Sequence, residues 1–304
     1  MVKPFHIIIG FISVCLIWGS TWIAIKIGVK DLPPMFSASI RLFLASAILF
    51  VIIQFKKIKL NWTKEYRKLY LVVALTAFTI PFALLYWGSK YVPSGLTSLL
   101  FAFFPFAVLI ISFIMLKSEK ITSAKIFGIL LGFSGLYVIF STDINFANTN
   151  SNTIYGMIAI IISAILNAYN IVYIKKFGNE VSQFVLSFVP MLYSAVFLLI
   201  GSFIFEQKSQ IIFTQSAIVS IIYLAILGSV IGFVTYYWLL KHLQTAILSF
   251  TAFITPIIAI ILGHFILDEK ISSNLFIGIF CVLVGIIFSN IDDLRKIKGK
   301  KIIQ

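Results

Sequence analysis

Apolar residues in this chain do not alternate with polar ones; they run. Mostly apolar stretches of about 20 residues, the length a helix needs to cross about 30 Å of hydrocarbon, fall at 5–26, 35–55, 69–89, 94–116, 124–141, 154–174, 184–205, 216–240, 245–267 and 272–290. Strands of a membrane barrel would show a period of two, which these runs lack. The pattern predicts an all-α integral membrane protein with ten transmembrane helices. The connections are too short to hold a soluble domain.

Composition sharpens this reading. Of 304 residues, 61% are apolar and 11% charged, which leaves almost no polar shell for a water-soluble fold. The net charge of +14 does not imply nucleic acid, because the basic residues sit in short loops rather than on one face. With the N-terminus inside, the cytoplasmic side carries Lys56, Lys57, Lys59, Lys64, Arg67, Lys68, Lys175, Lys176, Lys241 and a basic tail, 293–304. The outer side carries only Lys26, Lys30, Lys90, Lys208 and Lys270. This bias predicts that both termini are cytoplasmic and that the chain lies in the cell (inner) membrane. The first span is too long for a signal-peptide core and reads as an uncleaved helix. Cys15 and Cys281 lie inside apolar spans and read as buried thiols, not as a disulfide framework.

The chain repeats itself. Tyr86–Trp87, Lys90, Ser98, Pro105, Glu119–Lys120, Gly128 and Gly135 recur as Tyr237–Trp238, Lys241, Ser249, Pro256, Glu269–Lys270, Gly278 and Gly285. The offset is 151 positions up to the prolines and 150 after them. The units are 1–145 and 146–292, each of five spans. An odd number makes the second unit enter the membrane from the opposite side, giving two inverted five-helix halves. Inverted repeats suit secondary transporters, in which two halves rock around a midplane site.

The first span, Leu16-Ile17-Trp18-Gly19-Ser20-Thr21-Trp22-Ile23-Ala24-Ile25-Lys26, resembles the opening of the EamA-type drug/metabolite transporters. Arg41 with Leu42-Phe43-Leu44-Ala45 resembles their second span. The Pro105 helix with Glu119–Lys120 and the glycines Gly128 to Gly135 looks like the end of one EamA repeat, and Pro256 to Gly285 like the second. The resemblance covers essentially the whole chain. It implies ten helices around a central cavity, the fifth and tenth peripheral, and movement of amino acids, nucleosides or other metabolites.

Several residues could carry such a function. Arg41 lies about 9 Å into the second span at about 1.5 Å per residue, where a guanidinium needs water, a partner or a ligand. Its planar fork suits a carboxylate or phosphate; snorkelling to the outer interface, or capping backbone carbonyls of a neighbouring helix, is the plainer reading. Lys26 and Lys90 at outer span ends read as snorkelling, or as partners of Arg41 in a positive vestibule. Trp18 and Trp22 are one turn apart with Thr21 beside them, and their polar atoms need partners inside hydrocarbon. Asn167 and Asn170 share a face of the sixth span, the counterpart of the first. Cavity lining and ordinary packing are both open for these five. Tyr86 and Tyr237 fit aromatic belts, or gates at opposite mouths of a pathway. Pro105 and Pro256 should bend the fourth and ninth helices. The glycines Gly128, Gly132, Gly135, Gly278 and Gly285 read as close-packing faces.

Absences narrow the field. All acidic residues (Asp31, Glu65, Glu119, Asp143, Glu180, Glu206, Asp268, Glu269, Asp292 and Asp293) fall in loops or at helix ends, so exchange of a cation for protons through a buried carboxylate is disfavoured. His6, His242 and His264 are scattered, and no catalytic or metal-ligating cluster is apparent. The expectation is a secondary transporter, an exporter, of small metabolites such as amino acids or related carboxylate-bearing compounds, working by alternating access. No enzyme activity, cofactor, metal or nucleic acid enters this expectation; the partners are a small-molecule substrate and the lipid bilayer. The competing readings are a membrane-embedded enzyme and a non-transporting scaffold.

Overall fold

Hydrocarbon offers the backbone no water, so a spanning segment must satisfy its own hydrogen bonds, and a helix does so within itself. The computed structural model describes residues 4–116, 123–142, 151–207, 211–243, 248, 251–269 and 273–289. Among them all regular structure is helical: α1 (Pro4–Asp31), α2 (Pro34–Phe55), α3 (Lys64–Tyr91), α4 (Ser94–Leu116), α5 (Ser123–Thr142), α6 (Ser151–Phe177), α7 (Gln183–Phe205), α8 (Gln215–His242), α9 (Thr251–Leu267) and α10 (Ser273–Ser289). Seven described helices, α1–α4 and α6–α8, are long and apolar enough to cross a membrane, and shorter apolar helices cover Ile254–Leu267 and Phe276–Gly285. Glu119–Lys120, Ser249, Lys208, Lys270, Asp143, Asp292, Asp293 and the tail 293–304 lie outside the described residues.

Several helices outrun the apolar stretches by a turn at their ends. α1 continues through Lys26 and Lys30 to Asp31, and α3 starts at Lys64. Hydropathy marks only the part that must avoid water, whereas helix hydrogen bonding continues into the polar flank. Where such ends meet, carboxylates from other helices satisfy the free N–H groups. Glu206, after α7, accepts from Met35 N at 2.7 Å and Phe36 N at 3.1 Å, at the start of α2. Glu269, after α9, accepts from Ser94 N at 2.7 Å, Ser94 Oγ at 2.9 Å and Gly95 N at 3.1 Å, at the start of α4. Asp31 accepts from Thr214 Oγ1 at 2.6 Å beside the start of α8.

The packing pairs α3 and α4 with α6, and α8 and α9 with α1; α2 lies on α7 and α5 on α10. Adding five to each label turns the first set of pairs into the second and returns the last two pairs to themselves. Small residues let these helices approach. A Cβ on Gly88 of α3 would lie 2.7 Å from the carbonyl oxygen of Gly156 in α6, and one on Gly285 would lie 2.6 Å from that of Gly128. Hydroxyls then bond across to neighbouring backbones: Ser39 donates to Ala195 O at 2.8 Å, Ser163 to Pro81 O at 3.0 Å and Ser194 to Ala74 O at 2.9 Å. Outward faces are apolar, as Ile8, Ile12 and Leu16 on α1 illustrate.

Three local features depart from a straight-helix reading. α3 and α8 each contain a π-helical segment, Ala74–Thr79 and Leu224–Ile231. α4 breaks at Ala102–Phe103, so Pro105 is the second residue of the resumed helix and not a mid-helix kink. A proline has no N–H for the carbonyl four residues back, and here the chain answers with tighter turns, Ala102 N to Leu99 O and Phe103 N to Leu100 O. Pro256, its counterpart, sits inside the uninterrupted α9. Pro190 lies inside α7.

Gly88→Leu should wedge α3 from α6 and cost about 1–3 kcal/mol, the range for overpacking. Thermal unfolding of the detergent-solubilised protein measures this. An unchanged midpoint would mean that these two backbones do not meet.

Candidate functional site

Seven helices, α1–α4, α6, α8 and α9, line a partly open cavity of about 120 Å3. Arg41 of α2 is its one lining cation among the described residues. The residue is 3% exposed, so it does not snorkel. Nε donates to Ser229 Oγ at 2.8 Å and Nη1 to the Tyr86 hydroxyl at 2.9 Å. The guanidinium also lies over the Phe82 ring, 4.8 Å from its centroid. Gly228 leaves room for the fork, since a Cβ there would be 3.2 Å from Nη2. Among the described residues no carboxylate pairs with it; the acids Asp31, Glu206 and Glu269 are engaged at helix ends.

The π segments help set this geometry. Each interrupts the α-helical ladder just before the cavity-facing residues of its helix, Phe82 and Leu85 in α3, Phe233, Tyr236 and Tyr237 in α8. One extra residue in a turn rotates the following side chains by about 100°. Ser229 lies within the α8 segment itself.

Aromatic rings form the walls. Trp18 packs on Tyr236 at 4.7 Å and Phe233 at 5.2 Å, and Trp22 on Phe101 at 5.2 Å. A continuous path of rings leaves the guanidinium: Phe82 to Phe78 at 5.7 Å, Phe78 to Phe233 at 4.9 Å and Phe233 to Tyr237 at 5.9 Å. Several polar atoms of the lining are satisfied. Trp18 Nε1 donates to Gly228 O at 3.3 Å, Thr21 Oγ1 to Trp18 O at 2.8 Å and Asn167 Nδ2 to Ser163 O at 3.0 Å. Trp22 Nε1, Asn170 Oδ1 and the Tyr237 hydroxyl are buried with no hydrogen-bond partner. Asn170 and Tyr237 approach each other without closing a bond of ordinary geometry.

Of the residues singled out by sequence, Trp18, Thr21, Trp22, Arg41, Asn167, Asn170 and Tyr237 meet in this one cavity. Tyr86 stands behind Arg41 as its partner and, like Tyr237, is buried in the bundle rather than in an interfacial belt. Lys26 is half-buried near the end of α1. Its ammonium donates to the carbonyls of Ser89 at 2.8 Å, Val92 at 2.8 Å and Lys90 at 3.2 Å, fastening α1 to the end of α3. Lys90 itself is exposed. His264 is exposed at the end of α9 and does not line the cavity. Phe82, Phe233, Ser229 and Thr255 escaped sequence reasoning. The first two stand 151 positions apart and could have been found from the repeat. Ser229 has Phe78 as its counterpart and offered no signal. Among the described residues no group of three or more His, Cys, Asp or Glu is placed to hold a metal ion.

Comparison with known proteins agrees with this architecture. The model of the EamA-like transporter family matches twice, over residues 6–141 and 154–291. An uncharacterised transporter of Bacillus subtilis, YoaV, is 30% identical over 290 residues, covering 95% of this chain and 98% of its own. Protein PagO of Salmonella typhimurium is 31% identical, covering 93% and 94%. The uncharacterised inner membrane transporter YedA of Escherichia coli is 27% identical, covering 90% and 86%. One solved crystal structure, 16% identical, shares the fold with a TM-score of 0.71 over 95% of this chain and 99% of the other.

Tyr86→Phe should leave Nη1 of a buried guanidinium without its partner and cost about 1–3 kcal/mol of stability. A thermal shift assay in detergent checks this. A variant as stable as the parent would show that Arg41 reaches another acceptor.

Proposed function

This chain belongs to the EamA-like transporter family and is a multi-pass protein of the cell membrane, and from that premise we propose that it is a secondary transporter of small carboxylate-bearing metabolites, such as amino acids or related compounds. The observation that carries the substrate class is Arg41. It is a buried guanidinium facing a cavity, held by neutral partners and paired with no carboxylate among the described residues. A fork so positioned and so poorly neutralised is a receptor for a carboxylate.

In this reading the chain crosses the membrane ten times with both ends cytoplasmic, and its halves, 1–145 and 146–292, thread in opposite senses. The exchange of helix pairs when each label is raised by five supports the inverted relation, as do the two family matches. The lysine and arginine bias supports the orientation. Transport proceeds by alternating access, with the cavity exposed to each side in turn. The direction is export. On the side that charge bias makes external, Lys26, Glu206 and Glu269 tie the helix ends together, which suits loading from the cytoplasm.

Purified protein in liposomes should move carboxylate-bearing metabolites faster than protein-free vesicles. Arg41→Lys, which keeps the charge but loses the fork, should raise KM at least about tenfold, equivalent to about 1.4 kcal/mol. Arg41→Met should abolish transport. Equal rates in all three proteins would end the anchor reading. For threading, Ile212→Cys in a background lacking Cys15 and Cys281 should react with a membrane-impermeant maleimide in intact cells. Trp62→Cys should react only after permeabilisation. Labelling of both from outside would refute the orientation.

A further inference from the structure

We propose that the cavity is built for organic acids that carry no ammonium group: a carboxylate at Arg41, an apolar or aromatic body along the rings, and an uncharged hydrogen-bonding group at Asn170 and Tyr237. This rests on the carboxylate-transport reading and narrows it.

The first reason is the charge balance. Among the described residues the lining holds one cation and no anion. An amino acid that seats its carboxylate on Arg41 brings its α-ammonium within about 6 Å of the guanidinium, close enough for like charges to oppose one another. No carboxylate of the described lining compensates. The acids Asp31, Glu206 and Glu269 already accept from Thr214, from the start of α2 and from the start of α4. The aromatic face nearest the charge, that of Phe82, could hold a cation, but Arg41 itself occupies it. An acid without the amine meets none of this opposition.

The second reason lies at the other end of the ring path. Tyr86 and Tyr237 stand 151 positions apart in the two halves, so the repeat supplies a phenol at each pole. Arg41 engages the first. The second is 1% exposed, lines the cavity and closes no hydrogen bond of ordinary geometry, its neighbour Asn170 included, and the same holds for Oδ1 of Asn170, also 1% exposed. Buried polar atoms are rarely left unpaired, because desolvation is then uncompensated. Lys241, further along α8, is directed away to Val181 O at 2.7 Å. The far pole is therefore neutral, and a hydroxyl, carbonyl or amide fits it better than an ion. The remaining walls include the rings of Trp18, Trp22, Phe101 and Phe233, which suit an apolar or aromatic body.

The test compares four probes in proteoliposomes of the full chain near neutral pH: 3-(4-hydroxyphenyl)propanoate, 3-phenylpropanoate, tyrosine and tyramine. Uptake into protein-free vesicles is subtracted, because weak acids leak. The hydroxylated propanoate should exceed tyrosine at least about tenfold in kcat/KM, and tyramine should not move. The hydroxyl should give a several-fold gain over 3-phenylpropanoate in the parent, and this gain should vanish in Tyr237→Phe. Tyrosine carried as well as its deaminated analogue would overturn the proposal while leaving carboxylate transport standing. No preference for the hydroxyl in the parent, a comparison that needs no variant to fold, would overturn the far pole. Failure of all three carboxylates, or preference for tyramine, would remove the carboxylate reading together with this one.

Discussion

A guanidinium enclosed by helices needs protein partners, water or a ligand around it, because lipid cannot solvate it. Around Arg41 that solvation is assembled from three separate places: a serine inside the π segment of α8, a phenol on α3 and the face of a phenylalanine one turn earlier on α3. Each contribution is neutral. The charge is thus stabilised well enough to stay buried yet not cancelled, as the proposed carboxylate site requires. A carboxylate partner would satisfy the same geometry and fill the receptor permanently.

The scaffold holding these groups is fastened mainly by backbone-directed contacts. Serines of α2, α6 and α7 bond to carbonyls of neighbouring helices, and glycines bring α3 to α6 and α10 to α5. Between apolar helices in apolar lipid, burial of side chains gives little preference for one partner over another, so close approach and hydrogen bonds decide the pairing. The carboxylates at the starts of α2 and α4 do similar work at the ends, where water returns.

Much of this was legible because the membrane imposes it. Apolar length marked the helices, and Arg41, Trp18, Trp22, Asn167 and Asn170 stood out as polar or amphipathic groups in segments that should avoid them. Their convergence in one cavity follows from the same cost. The π segments were not legible, because an extra residue per turn leaves hydropathy unchanged and shows only in hydrogen bonding. For the same reason Ser229, one partner of Arg41, escaped: it faces the guanidinium only because of how α8 is wound. The contacts of Lys26 with the carbonyls ending α3 were not legible either, because nothing in a span end's sequence says which neighbouring helix it meets. The two prolines matched in sequence but not in effect, since the tighter turns around Phe103 accompany Pro105 while α9 runs through Pro256.

Duplication gave the two halves much in common, but it gave the charge to one of them. The positions 150 and 151 places after Arg41 are Met191 and Leu192. In a carrier whose halves exchange roles, a cargo gripped by a single unmatched cation meets a different environment when approached from either face. Its half-saturating concentrations inside and outside then have no reason to agree. Microscopic reversibility still ties the two directions together, so a tighter hold at one face is balanced by slower turnover from it. Under the proposed carboxylate transport, asymmetry of kinetics without asymmetry of equilibrium is what an Arg41 unmatched in the second half entails.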